Sequence, residues 1–400
     1  MASLKTLILG ALGFAPEVLG ANLLAAHYTG KIFSLSYTPG ARNATANLAT
    51  KSEASGCGTL PAWLHVDAGV PIVYCVDEDW NGSGMLSSYS IGPDGSLKQT
   101  GQTVTSGASV HGTPYGGGDV DGYNFIATVQ YDPSTLTTYE LPLTNTSAVL
   151  QQLKFNLTEP KANPRQNAPH PHAAQLDPTG KFIIVPDLGA DLVRVFTIDK
   201  ATGQLTACEP GVADDGDGPR HGAWWAPTAG STAGQKLYTV NELGNSVSAW
   251  DVSYPEDEGG CLALAKTQTL STYAEGGGAA PDGSKAAEVH VAGNYLYAAN
   301  RADETFGAGN DSMAAYAIDP ATGDISWAEA TPAHAWFPRS FSINGAGDLV
   351  AIGGQTSSNV AIVARDVETG KLGGLIANLQ VATPGTPQQE DGLSTVVWVE

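Results

Sequence analysis

A strand–turn–strand unit recurs about seven times along this chain, and no copy alone carries enough apolar surface to bury its own face. It is clearest over residues 193–203 (Val193, Val195, Phe196 and Ile198, then Asp199 to Gly203). It returns over 313–323 (Met313, Ala315, Tyr316 and Ile318, then Asp319 to Gly323). Aligned copies are anchored at Leu35, Tyr89, Tyr139, Phe196, Trp250, Tyr316 and Val363, with spacings of 54, 50, 57, 54, 66 and 47 residues. A period of roughly 50 residues suits a four-stranded propeller blade. The turn chemistry recurs too, in Pro93-Asp94-Gly95, Lys200 to Gly203, Pro320 to Gly323 and Glu368-Thr369-Gly370. In such turns glycine supplies the positive φ. The expected fold is all-β, a seven-bladed β-propeller. Its last strand, Ser394 to Val399, has no blade of its own and is expected to close the ring beside Lys31 to Tyr37. Pairing there would cover two sheet edges.

Composition agrees with this reading. Glycine (48) and proline (24) are abundant, and charged residues make up 15%. No long segment beyond the N-terminal leader has helical period, which argues for all-β rather than α/β. Residues 1–20 read as a secretory signal, with Lys5 in the n-region, Leu7 to Phe14 as a short apolar core and Val18-Leu19-Gly20 at the cleavage positions. That leaves residues 21–400 as one propeller domain. The apolar run is too short to span a bilayer.

Secretion has corollaries that the sequence carries. Sequons stand at Asn43, Asn81, Asn145, Asn156 and Asn310, each in a turn-like stretch. The four cysteines are an even number, and the most local pairing is Cys57 with Cys75 and Cys208 with Cys261; the other two connectivities stay open. The formal net charge of −21 argues against a nucleic acid or an anionic membrane as partner, since both need a basic face. A propeller of this size is expected to be a monomer acting on a small anionic or lactone substrate.

With only seven arginines, where they stand is informative. Consecutive strands are antiparallel, so the start of a blade's first strand and the end of its second share one rim. His172, Arg220 and Arg339 start first strands in blades four, five and seven. Glu242 and Arg301 end second strands in blades five and six. All five therefore face the channel from one rim. Three converging guanidinium groups suit a carboxylate-bearing substrate, which they pair with bidentately. His170, His221, Glu288 and His290 are secondary candidates for substrate binding. His27, His65, His111 and His334 carry no signal. No Gly-x-Ser-x-Gly elbow exists. Pro169-His170-Pro171-His172 lacks further metal ligands, so neither a metal nor another cofactor is expected.

Five stretches carry a resemblance: Pro171-His172-Ala173-Ala174 with its Asp177 to Lys181 turn, Gly218-Pro219-Arg220-His221, Val240-Asn241-Glu242-Leu243, Leu296 to Arg301, and Pro338-Arg339-Ser340-Phe341. Over residues 165–370 the chain resembles the seven-bladed propeller lactonases, which include propeller-type 6-phosphogluconolactonase and fungal 3-carboxy-cis,cis-muconate cyclase. The stretch His111 to Tyr139 departs from that pattern. The resemblance implies a metal-free site of His172, Arg220, Glu242 and Arg301, with His170 able to share the role of His172. It implies either ring closure of a muconate-type diacid to a lactone, with His172 or Glu242 as proton donor, or lactone hydrolysis by the same groups. Lactone-forming cycloisomerisation is the first expectation. Phosphosugar lactone hydrolysis, a secondary-metabolism cyclase with Trp224, Trp225 and Trp336 at the channel mouth, and a non-catalytic glycosylated surface propeller are the alternatives.

Overall fold

In a computed structural model the chain forms seven antiparallel sheets around one channel, six of them four-stranded. The structure describes residues 21–399, apart from 41–45, 68–69, 118–121, 258 and 275–277. The leader and Asn43 therefore lie outside the described residues. Among the described residues no helix is long and apolar enough to cross a membrane.

The anchors found in the sequence all sit on the third strand of a blade and are 0–1% exposed. Each packs its large side chain between neighbouring sheets, which is why a big apolar residue recurs there. At Leu35, Tyr89, Tyr139, Trp250, Tyr316 and Val363 the pairing to the outer strand also shifts register. Such bulges increase local twist, and blades of a propeller must twist to pack face to face. In blade four the outer strand is broken instead into Leu205–Ala207 and Gly211–Val212.

The recurring turns do more than reverse the chain. Tyr115, Tyr238 and Tyr297 each donate a hydroxyl hydrogen bond to the glycine carbonyl of the next blade's turn, at Gly203 (2.5 Å), Gly323 (2.7 Å) and Gly370 (2.5 Å). Those glycines have φ of +71°, +71° and +69°. The side chains of Asp199, Asp319 and Asp366 accept from the backbone N–H two residues on and so hold the turn's shape.

The ring closes as one antiparallel sheet built from both chain ends, ordered Leu393–Val399, Ala21–His27, Lys31–Thr38 and Asn47–Ala54. This corrects the expected partner of the closing strand. It pairs with Ala21–His27, not with Lys31 to Tyr37. The strand Ala21–His27, which the sequence pattern does not announce, lies between the two. The closing strand is the innermost of blade one and buries Leu393, Val396 and Trp398.

Both cysteine pairs are the local ones, Cys57–Cys75 and Cys208–Cys261. The first ties the segment entering blade two to that blade's second strand, Ile72–Asp77; the second ties blade four to blade five. Asn81, Asn145 and Asn156 are exposed. Asn310 is half-buried, and its side-chain oxygen accepts from the His334 N–H at 2.9 Å.

Candidate active site

A repeated backbone irregularity builds the site. In blades five and seven the innermost strand starts at a proline, Pro219 and Pro338, and in blade four Pro171 makes a single bridge ahead of the innermost strand, Gln175–Leu176. Pro171, Pro219 and Pro338 face Asp187, Asn241 and Gly354 on the second strand. Directly after Pro219 and Pro338 the register advances by one residue, and in blade four it does so between Pro171 and Gln175. Arg220 and Arg339 begin that shift, and His172 lies within the stretch that holds it in blade four. A bulge leaves its extra residue unpaired and re-aims the side chain, so three functional groups from three blades turn toward one end of the channel. At the same level the second strands carry Asn241, at the strand end, and Asn300, one residue before it, whose buried amides bond to Ser246, Ser248 and Ser312. Glu242 and Arg301 follow them and are thereby pinned.

These groups meet. Glu242 Oε2 lies 2.7 Å from Arg301 Nη2 and 3.0 Å from Arg220 Nε, and its Oε1 lies 2.6 Å from Arg165 Nη1. The Arg220 Nε contact is an ion pair only, because its N–H does not align into a hydrogen bond. One carboxylate thus serves three guanidinium groups. Arg339 Nη2 is 3.0 Å from Glu78 Oε2, which also accepts from the Tyr28 hydroxyl. Above them opens a cavity of about 390 Å³. Its cationic wall is Arg165, Lys285, Arg301 and Arg339; Glu78, Asp132 and Glu390 bring negative charge; Trp80, Tyr131 and Phe337 supply aromatic surface.

Burial and neighbouring charge set the protonation states. Burial would push the Glu242 carboxyl up, but Arg301, Arg165 and Arg220 outweigh it and hold the group well below the usual carboxylate range. Glu242 is therefore a permanent carboxylate. Burial, followed by the charge of Arg220, holds His172 well below the ordinary imidazole value. It is thus a neutral imidazole at pH 7. Its Nδ1 is buried with no hydrogen-bond partner, which leaves Nε2 as the nitrogen available to the cavity. Burial, Arg301 and Arg339 push Arg220 down to about 9, so it stays cationic at neutral pH.

Of the expected residues, His172, Glu242, Arg301 and Arg339 line the cavity. Arg220 does not reach its wall; it is 1% exposed and lies beneath, against Glu242. His170 faces away. It stacks on Tyr131 at 4.0 Å and bonds to the Tyr131 carbonyl and to Asn167, so it supports a wall residue instead of sharing the role of His172. His221 and Glu288 are buried deeper, paired to each other, and do not line the cavity. His290 borders a groove with Ala292 and Ile343, the far ends of the innermost strands in blades six and seven. All three are out of reach of the cavity, because successive positions along an innermost strand descend the channel. Trp224 and Trp225 occupy the far end of their strand, and Trp336 is not a wall residue; Trp80 and Phe337 take the place expected of these tryptophans.

Sequence reasoning missed Tyr28, Glu78 and Tyr131, although they occupy in blades one to three the position that Glu242 and Arg301 hold in blades five and six. Extending the same strand-end rule to the weaker first copies finds them. It also missed Arg165 and Lys285, and the rings that fill the channel below. Trp63 stacks on His111 at 4.2 Å, and His221 lies 5.3 Å from Trp63, 5.2 Å from His111 and 5.3 Å from His172. Among the described residues, no group of three or more His, Cys, Asp and Glu side chains is arranged to hold a metal ion.

The profile of the seven-bladed β-propeller lactonases matches residues 22–389. This chain belongs to that family. Among its relatives is a protein of Arthroderma benhamiae named "Probable 6-phosphogluconolactonase", 33% identical over 323 residues that span 78% of this chain and 76% of that one. The 6-phosphogluconolactonase of Formosa agariphila is 26% identical over 62% of this lactonase-family chain and 65% of its own. Among solved structures, a periplasmic gluconolactonase of Pseudomonas aeruginosa superposes with a TM-score of 0.73 at 23% identity, covering 96% of this chain and 99% of that one. A protein of Lactobacillus plantarum does so with a TM-score of 0.75 at 21% identity, covering 96% and 100%. At these identities the structural likeness speaks to the fold.

Proposed function

We propose that this protein hydrolyses a sugar-acid lactone at the cavity of His172, Glu242, Arg301 and Arg339. The observation that carries the reading is a neutral imidazole, His172, sharing a wall with the guanidinium groups of Arg165, Arg301 and Arg339 and the ammonium of Lys285. His172 Nε2 takes a proton from water as the water oxygen attacks the lactone carbonyl carbon. Charge moves onto the carbonyl oxygen, where Arg301 and Arg339 offer N–H donors and positive charge. The ring C–O bond then breaks as the carbonyl re-forms, and the protonated His172 returns the proton to the leaving ring oxygen. The product is the open hydroxy acid. Glu242 keeps its charge throughout and holds Arg165, Arg220 and Arg301 in register.

The hydrolytic direction is favoured over ring closure of a muconate. Ring closure ends by protonating a carbon, which needs an acid poised in the cavity. Glu242 is held as a carboxylate and His172 as a neutral imidazole. The names of the relatives point the same way. Two disulfides and the expected leader fit a secreted enzyme.

The test is acid release, followed by pH-stat, from a panel of phosphorylated and unphosphorylated aldonolactones, with 3-carboxymuconate as the competing substrate. Hydrolysis of a lactone, reduced about 10²–10⁴-fold in His172→Asn with the fold retained, supports the reading. Turnover of the muconate alone, or undiminished hydrolysis by His172→Asn, would overturn it.

A further inference from the structure

We infer that Glu288 and His221 are positioning residues that hold Arg220 in place beneath the cavity, through a buried carboxylate–imidazole–guanidinium chain. The inference rests on the lactonase reading for its consequence in catalysis, though not for its geometry. Arg220 lies in an unfavourable place. It is fully buried, and the like charges of Arg301 and Arg339 act on it. Its nearest carboxylate, Glu242, is shared with Arg165 and Arg301 and meets it off the hydrogen-bond axis. Something else must fix the direction of this guanidinium.

Two bonds do so. Arg220 Nη1 donates to the Ala287 carbonyl at 2.7 Å and meets His221 Nε2 at 3.2 Å. A guanidinium has donors and no acceptor, so the second bond exists only if His221 Nε2 carries a lone pair. The single proton of a neutral imidazole must then sit on Nδ1. That nitrogen faces Glu288, 3.1 Å from both carboxylate oxygens. Glu288 thus selects the one tautomer of His221 that accepts from Arg220. The chain is enclosed, since Arg220, His221 and Glu288 are 1–2% exposed. His290 Nε2 also approaches Glu288, but at 3.8 Å, beyond hydrogen-bond reach. The arrangement follows from the recurring bulge, because Arg220 begins the register shift in its strand and His221 resumes pairing directly below.

The test uses the full-length protein labelled with [¹⁵N]histidine, with the His221 signals assigned by their loss in His221→Gln. The parent should show His221 protonated on Nδ1 and accepting on Nε2. Glu288→Leu removes the acceptor, so His221 should move its proton to Nε2 and kcat should fall about tenfold or more, with KM within about threefold. Glu288→Gln keeps an acceptor oxygen and should restore the parental tautomer and most of the lost kcat. A parent protein with its His221 proton on Nε2 would overturn the inference, as would a folded Glu288→Leu with parental kcat. If Glu288→Leu does not fold, the parent spectrum still decides. If the parent opens no lactone, the tautomer and its reversal in Glu288→Leu test the chain alone, so the two failures are told apart.

Discussion

At the scale of single residues, the cavity holds two titratable groups in the unusual states that the proposed hydrolysis calls for. Glu242 is a carboxylate because three arginines outweigh its burial, and His172 is neutral because burial and Arg220 together outweigh the pull of Glu242. The direction of the pH dependence follows. The proposed mechanism uses the base form of His172, so activity should be lost as pH falls through its pKa, which lies well below the ordinary imidazole value. Arg220→Gln removes a positive charge that depresses that pKa. In this variant the acid limb of the kcat/KM profile should therefore move up, toward the ordinary histidine range near 6.5; a limb that stays put would remove Arg220 from the account of His172. The candidates were legible as residue types at strand ends. Their protonation states were not, because these come from neighbours far away in the chain, such as Arg165, 77 positions from Glu242.

At the scale of elements, the repeat serves packing and site together. A turn that reads in the sequence as local glycine chemistry is a docking point, held by a tyrosine of the preceding blade. Tyr238→Phe removes one such bond while keeping the ring, and it leaves the Gly323 carbonyl without that partner. It should cost about 1 kcal/mol of stability, read as a shift in the denaturant midpoint at unchanged slope. The bulge after the first-strand proline is the second device. Alternation along a regular strand would aim Arg220 and His221 at opposite faces. The inserted residue lets one serve the cavity floor and the next lie beneath it. Strand-end reasoning placed Arg220 on the correct rim but too far forward, since nothing in the residue types announces a bulge.

At the scale of the whole molecule, closure and charge set stability. Removing Leu393 to Val399 takes the innermost strand from blade one and strips Trp398 and Val396 from the core beside blade seven. It also removes the Ser394 hydroxyl bond to the Pro61 carbonyl at 2.5 Å, which reaches blade two. A chain ending at Gly392 should fail to fold cooperatively, as judged by loss of the thermal transition; an equally stable truncation would deny the strand its closing role. The pH dependence of stability has a definite sign. Burial pushes Asp77 and Asp217 up to about 6 from an ordinary 3.8. A carboxyl whose folded pKa is raised binds its proton more tightly in the native state. Its contribution is present below the ordinary value and is lost as pH rises through 6. Lower pH also relieves the repulsion of a chain with net charge −21. The thermal midpoint should rise as pH falls from 8 toward 5 by calorimetry; a midpoint that falls over this window would show that other groups dominate.

The amino-acid sequence by itself determined the ring. Period, turn chemistry and alternation are local properties, written within each copy of about 50 residues, and they dictate a closed set of twisted sheets. The antiparallel order of strands within each blade then determined which rim His172, Arg220, Glu242, Arg301 and Arg339 share. Only the tertiary structure decided how far along the channel each side chain sits, which strand closes the ring, and which groups are paired. It moved Arg220, His221 and Glu288 below the cavity and brought Glu78, Tyr131, Arg165 and Lys285 to its wall. The physical reason is that depth and pairing are relations between blades. They arise from bulges and from Coulomb interactions across the channel, and no single repeat contains either.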